Sequence, residues 1–156
     1  QQTYDINQVN ELADAVLDRI INDGMSQKEK ARAIFNYCKG NIGYINDSVK
    51  GNYVRSAYEG LVNKRGDCYV YASTAKVLLT RAGIPNMDIE RIPSKTTTHF
   101  WNLVDIGDGH GWYHFDTTPR WNHPVMFLWT DAQIKKYSDA NSNSHNYDRS
   151  KYPEIK

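Results

Sequence analysis

The hydrophobic period of this chain changes between Gly83 and Met87, and that change restricts the fold more than any other feature. Before it, apolar residues recur every three or four positions; after it, they alternate. Ile6, Val9, Leu12, Ala13, Val16, Ile20 and Ile21 predict a first helix over residues 6–22, capped by Asp5 and ended by Asn22-Asp23-Gly24. Ser26 with Glu29 forms a capping box for a second helix, with Ala31, Ile34, Phe35 and Cys38 inward and Gly40 at its end. A short helix is expected over 56–63, with Ala57, Leu61 and Tyr58 inward. Another runs from Cys68 to Ala82 and stops at Gly83-Ile84-Pro85.

Beyond Pro85 the signals are those of strands. Met87 to Ile92 alternates apolar and charged residues. A polar loop, 93–98, leads to a strand over 99–106, a glycine-rich turn and a return strand over 112–116. A further strand is expected over 125–129, followed by a helix over 131–137 capped by Thr130 and Gln133. Helices first and consecutive strands after them indicate an α+β fold with an antiparallel sheet. The whole chain, 1–156, reads as one domain ending in a polar, irregular tail over 138–156, whose Tyr147 and Tyr152 can dock on the body. The tyrosines Tyr44 and Tyr53 sit in the approach to Cys68.

Composition excludes several classes of function. With 40% hydrophobic and 12% aromatic residues, the chain is expected to fold. A net charge of +1 gives no electrostatic reason to bind nucleic acid or an anionic membrane. Its longest apolar runs, such as 125–129, are too short to insert in a bilayer. Two cysteines, Cys38 and Cys68, exclude a disulfide framework. No metal or other cofactor is expected: His110 and His114 lie across a turn without zinc-ligand spacing, and there is no calcium-loop pattern.

The two cysteines have different surroundings. Cys38 falls among core positions of a helix and reads as a small buried hydrophobe. Cys68 follows Arg65-Gly66-Asp67, read as a tight glycine turn that delivers a thiol to a helix N-terminus. There the macrodipole and unpaired N–H groups favour a thiolate. A base is available on the hairpin. If paired residues sum to 215, His99 faces Asp116; if they sum to 217, Asp116 is its diagonal neighbour. In both registers the two side chains share a face, because the strand period is 2. Opposed residues have Cβ atoms about 4.5–5.5 Å apart, within reach of a carboxylate–imidazole bond. Such a bond leaves the second ring nitrogen to exchange a proton with a thiol. Asp67, beside the thiol, is expected to act as N-cap with its carboxylate turned onto backbone N–H groups.

Four segments carry a family resemblance: Gly66-Asp67-Cys68-Tyr69-Val70-Tyr71-Ala72, Ala82-Gly83-Ile84-Pro85, His99-Phe100-Trp101-Asn102, and Gly111-Trp112-Tyr113-His114-Phe115-Asp116-Thr117-Thr118-Pro119. In order and spacing they resemble the Cys, His and Asp blocks of the transglutaminase-like superfamily, in its bacterial form, whose fold is similar to that of papain-like cysteine proteases. The resemblance implies Cys68 as nucleophile, His99 as general base and acid, and Asp116 as the residue orienting His99. It implies the Cys68 N–H as one oxyanion donor. The second donor is not marked by a motif; Tyr53 is a candidate, and Asp67, Tyr69, Trp101 and Asn102 are candidate neighbours of the substrate. Trp101 fits a wall of the site or sheet packing equally well. The implied chemistry is acyl transfer from an amide of a protein or peptide, through a thioester, to a primary-amine acceptor. A protease or amidase releasing the acyl group to water is the alternative, and a non-catalytic binding module that keeps the fold is a second. The resemblance also implies a secreted or surface location.

Overall fold

The computed structural model describes residues 3–93, 98–119 and 124–156. The middle of the expected 93–98 loop and the Arg120–His123 stretch therefore lie outside the described residues. Five α-helices are described: α1 (Ile6–Ile20), α2 (Gln27–Asn41), α3 (Tyr53–Tyr58), α4 (Cys68–Arg81) and α5 (Asp131–Ala140). The strands are β1 (Gly43–Tyr44), β2 (Arg65–Gly66), β3 (Asn86–Glu90), β4 (Phe100–Val104), β5 (Tyr113–Asp116) and β6 (Met126–Trp129). The last four form one antiparallel sheet in the order β3-β4-β5-β6, so the architecture is α+β. Among the described residues no helix is long and apolar enough to cross a membrane.

Local chemistry accounts for the helix limits. Asp5 caps α1 through the Asn7 N–H. The helix ends at Ile20, short of the expected 22, because Ile21 turns extended. The Ser26–Glu29 capping box opens α2, which runs through Gly40 to Asn41. A glycine in the last turn of a helix costs only about 1 kcal/mol relative to alanine, so it need not end the helix. The third helix begins earlier than expected, because Asn52 caps it through the Arg55 N–H. Residues Glu59–Asn63 then widen into a π-turn ended by Lys64 at φ 57°.

The cysteine-bearing helix α4 lies at the centre of the helical layer. Ten of its residues are buried, Cys68 and Val70 to Ala75 among them, which is the pattern of a helix covered on most sides. Helices α1, α2 and α3 and the sheet all pack on α4, and one core joins its Val77, Leu78 and Leu79 to Val104, Phe115 and Phe127 of the sheet. Phe35 of α2 meets Phe115 and Phe127 edge-on, at 5.2 and 5.5 Å between ring centroids. Phe127 reaches that core through a bulge: between the pairs His114↔Trp129 and Asp116↔Met126, β5 has one residue and β6 has two. Leu128 takes the left-handed conformation there, at φ 52°.

Gly66 departs from its expected place in a tight turn. It lies on β2, paired with Tyr44 of β1, and its φ is not left-handed. Glycine is required there by space, since a Cβ would sit 2.3 Å from Cβ of Val70 on α4. The parallel β1–β2 pair, extended by the Ile45 N–H to the Gly66 carbonyl at 3.0 Å, carries residues 44–50 over the start of α4.

The opposite face of the sheet is also covered, which corrects the expectation of a polar, irregular tail over 138–156. Helix α5 extends to Ala140, and the chain beyond it returns to the sheet. Tyr147 and Ile155 pack with Ile89, Trp101 and Leu103, while Tyr152 adds to their edge. Trp112 pairs with Ile155 in a single parallel bridge. Polar side chains hide this strap from hydropathy, because its apolar anchors are far apart in sequence.

Candidate active site

The β4–β5 register is Leu103↔His114 and Asn102↔Phe115, so paired residues sum to 217. His99, just ahead of β4, and Asp116, at the end of β5, are therefore diagonal neighbours on one face. His99 Nε2 stands 2.8 Å from Asp116 Oδ2, and both residues are buried. The 217 register is thus the one formed, with Gly107, Gly109 and Gly111 all at positive φ in the turn.

Cys68 opens α4 at the same place. Its thiol makes a long contact, 3.9 Å, to the carbonyl oxygen of Thr98, the residue before His99. Cys68 and His99 line the same cleft. With Nε2 engaged by Asp116, Nδ1 is the nitrogen left for sulfur. Burial alone would lower the basicity of His99, but Asp116 and Cys68 outweigh it and raise the ring to about 9. Burial likewise opposes ionisation of Asp116, yet the imidazoles around it hold the carboxyl well below its ordinary range. Cys38 has no such partners; it is fully buried in the helical core, and burial pushes its thiol up to about 12.

The thiol and imidazole open into a cleft of about 480 Å³, walled by Tyr44, Asn46, Lys50 and Asp67 on one side and Arg91 and Thr98 on the other. A separate cavity of about 220 Å³, behind residues 45–49, touches neither Cys68 nor His99. Asp67 is held as its capping role requires. Its Oδ1 accepts from the N–H groups of Tyr69 and Val70 at 3.0 and 3.4 Å. Its Oδ2 accepts from Ser48 Oγ at 2.8 Å and Lys50 Nζ at 3.0 Å. The charge beside the thiol is thus turned away and countered. The Cys68 N–H, at the first helical position, has no acceptor within the helix and is a donor available to an oxyanion.

The remaining expected residues are placed elsewhere. Tyr53 opens α3 with its ring beneath Lys76 Nζ, 4.3 Å from the centroid, and is not among the cleft residues. Asn102 points to the helical side and donates to the Ala72 carbonyl at 3.1 Å; it braces α4 on the sheet and does not reach the cleft. Tyr69 packs edge-on against Phe100, at 4.9 Å. Trp101 shares the His99 face but is fully buried behind it, stacked on the imidazole at 5.6 Å. Its indole N–H donates to His114 Nδ1 at 3.0 Å, and His114 Nε2 bonds Asp131 Oδ1 at 3.0 Å. Asp131 also accepts from Tyr147 and Arg149, so the tryptophan behind the base is tied to the C-terminal strap.

One member of the site carries no signal in the sequence. His145, from the strap, places Nε2 2.7 Å from Asp116 Oδ2, the oxygen that His99 also uses. These three groups lie close enough together to be considered as metal ligands. Their spacing fits hydrogen bonds better. Zinc ligands at about 2.0–2.2 Å in a tetrahedron stand roughly 3.3 Å from one another, whereas the two nitrogen–oxygen separations here are 2.8 and 2.7 Å.

A sequence profile of the transglutaminase-like superfamily matches residues 14–117, a span that takes in Cys68, His99 and Asp116. The chain belongs to this superfamily. Solved structures that resemble it include the following two. One, described as a candidate cysteine protease of Cytophaga hutchinsonii, has 23% identity over 72% of this chain and 37% of that one, with a TM-score of 0.50. The other, described as a TGase, has 12% identity over 90% of this chain and 49% of that one, with a TM-score of 0.58. The chain thus spans less than half the length of either protein, and at these identities the likeness is one of fold. No curated protein sequence matches it.

Proposed function

We propose that this member of the superfamily is a cysteine-dependent acyl-transfer enzyme acting on amide groups of proteins or peptides. The observation that carries the reading is that Cys68 and His99 line one cleft, with His99 Nε2 2.8 Å from Asp116 Oδ2. Cys68 is the nucleophile, His99 the proton carrier and Asp116 the residue that orients it.

The Cys68 thiolate adds to the amide carbonyl, and the oxygen gains negative charge opposite the Cys68 N–H. The His99 imidazolium gives its proton to the departing nitrogen. The C–N bond breaks, ammonia or an amine leaves, and the acyl group remains as a thioester on sulfur. His99, now neutral, takes a proton from the incoming amine or water as that nucleophile adds to the thioester. Collapse of the second adduct breaks the C–S bond and restores the thiolate beside the imidazolium. Asp116 keeps its charge throughout and steadies the imidazolium.

An amine acceptor completes transglutamination; water completes hydrolysis. Exposed Tyr44, Asn46 and Lys50 at the cleft wall leave room for either to enter. The deciding assay combines a glutamine-containing peptide with a labelled primary amine. Amine incorporation that is lost in Cys68→Ala supports transfer. Ammonia release or peptide cleavage without incorporation, also lost in Cys68→Ala, assigns hydrolysis. Absence of all three products over a broad peptide set contradicts the enzymatic reading.

A further inference from the structure

We propose that His145 is a positioning residue of this site, which fixes Asp116 and sets how much of its negative charge is presented to His99. The inference rests on the assignment of His99 as the proton carrier.

His145 lies 29 positions after Asp116 in sequence, in the strap that follows α5, and is 1% exposed. Ionised aspartate has only acceptors, so both imidazoles that meet its Oδ2 must donate. His99 does so at 2.8 Å and His145 at 2.7 Å, each through Nε2. Asp116 Oδ1 accepts from the Thr118 N–H at 3.1 Å. Both carboxylate oxygens are thereby held, and the plane of the group cannot rotate without breaking a bond. His145 Nδ1 stands 3.0 Å from Ser144 Oγ, a hydroxyl able to donate to it. A neutral His145 with its proton on Nε2 therefore satisfies both ring nitrogens.

The ring is itself held from several sides. Its backbone N–H donates to Ser138 Oγ on α5 at 3.0 Å. Trp101, His99 and Tyr137 meet it edge-on at 4.7, 5.0 and 5.9 Å. Among the described residues, the titratable and charged groups around it include Asp116 from β5, His99 ahead of β4, Tyr137, Lys135 and Asp139 from α5, and Arg149 and Tyr147 from the strap. The Asp116 carboxylate makes a close ionic contact with the ring, at 2.7 Å.

Two donors on one oxygen share its charge. Loss of the His145 donor leaves the whole of that charge to His99, which then holds its proton to higher pH. It also leaves each carboxylate oxygen with a single donor, His99 on Oδ2 and the Thr118 N–H on Oδ1, so the group is held less firmly and the imidazole is less often aligned with sulfur.

The test compares the full chain with His145→Met, which keeps bulk without a donor, and His145→Gln, whose amide reaches to a similar distance and donates. Three readings are taken: turnover on a responsive peptide amide, the pH profile of Cys68 carbamidomethylation, and ring-nitrogen NMR of the wild-type histidines. His145→Met is expected to lower kcat by about 10–100-fold with KM nearly unchanged, and to move the His99-dependent limb of the alkylation profile upward. His145→Gln is expected to restore most of both. In the wild type, NMR is expected to show His145 protonated at Nε2 and bare at Nδ1. A folded His145→Met protein with wild-type kcat and pH profile overturns the proposal. So does a wild-type His145 whose Nε2 carries no proton, and that reading stands even where the methionine variant does not fold. The NMR and alkylation readings need no substrate, so failure of the acyl-transfer reading is seen separately, as a wild type without turnover.

Discussion

Asp67 is the residue whose perturbation separates stability from reactivity at this site. Asp67→Ala removes a helix cap, about 1 kcal/mol, the bond from Ser48, about another 1 kcal/mol, and the half-exposed Lys50 pair, under about 1 kcal/mol. The expected loss is therefore about 2–3 kcal/mol, seen as a lower urea midpoint. Asp67→Asn keeps the Oδ1 acceptor that serves Tyr69 and Val70 and is expected to lose only about 1 kcal/mol. The second reading is the rate of Cys68 carbamidomethylation. An uncompensated unit charge about 6 Å from a thiolate, at an effective dielectric of about 20, is worth about 3 kcal/mol, or about 100-fold in thiolate population. Because the half-exposed Lys50 that counters Asp67 at 3.0 Å is released to solvent once its partner is gone, both charges leave the site together and Asp67→Asn is expected to change the rate by less than about 3-fold. Lys50→Ala is expected to slow it, and the double variant to return it toward wild type. An acceleration beyond about 10-fold in Asp67→Asn would refute the claim that this charge is neutralised where it stands.

Three further outcomes follow from the same geometry. Gly66→Ala places a methyl group 2.3 Å from Val70 Cβ; it is expected to cost about 1–3 kcal/mol, measured by thermal or urea unfolding, and to be partly rescued by adding Val70→Ala. His99, raised to about 9, contributes stability that is complete below its ordinary value of 6.5 and lost as pH rises through about 9. Asp116 contributes above its ordinary 3.8 and loses its contribution only as pH falls well below that value. The difference in urea midpoint between wild type and His99→Gln is accordingly expected to shrink as pH passes about 9, where activity should also fall. Cys38→Ala, in the buried core, is expected to leave labelling and turnover unchanged in the folded protein, as read by mass spectrometry after thiol alkylation.

Much of the site was legible because its chemistry is carried by local patterns. The capping signals of Asp5, Ser26 and Thr130 need only a few residues, and all three formed as read. The parity of the hairpin placed His99 and Asp116 on one face before the register was known, since only the choice between sums of 215 and 217 depended on the turn. What escaped depended on contacts between distant segments. Nothing local marks His145: it sits in a polar stretch and earns its place only through Asp116, 29 positions earlier. Asn102 follows Trp101 directly, and strand alternation turned it to the helical side, away from the cleft. Gly66 looked like turn chemistry, yet its reason is the close passage of Val70. Tyr53 was near Cys68 in sequence, but α3 carried it to the flank of α4, beneath Lys76.

The central claim is that the Cys68 thiol and the His99 imidazole act as one unit. The most direct measurement is the second-order rate of Cys68 carbamidomethylation at pH 6 in the folded wild type, in His99→Ala and in the urea-unfolded chain. The account predicts a folded wild type at least about 10-fold faster than the unfolded chain, with the advantage lost in folded His99→Ala. Equal rates in wild type and His99→Ala, with both proteins folded, would contradict it.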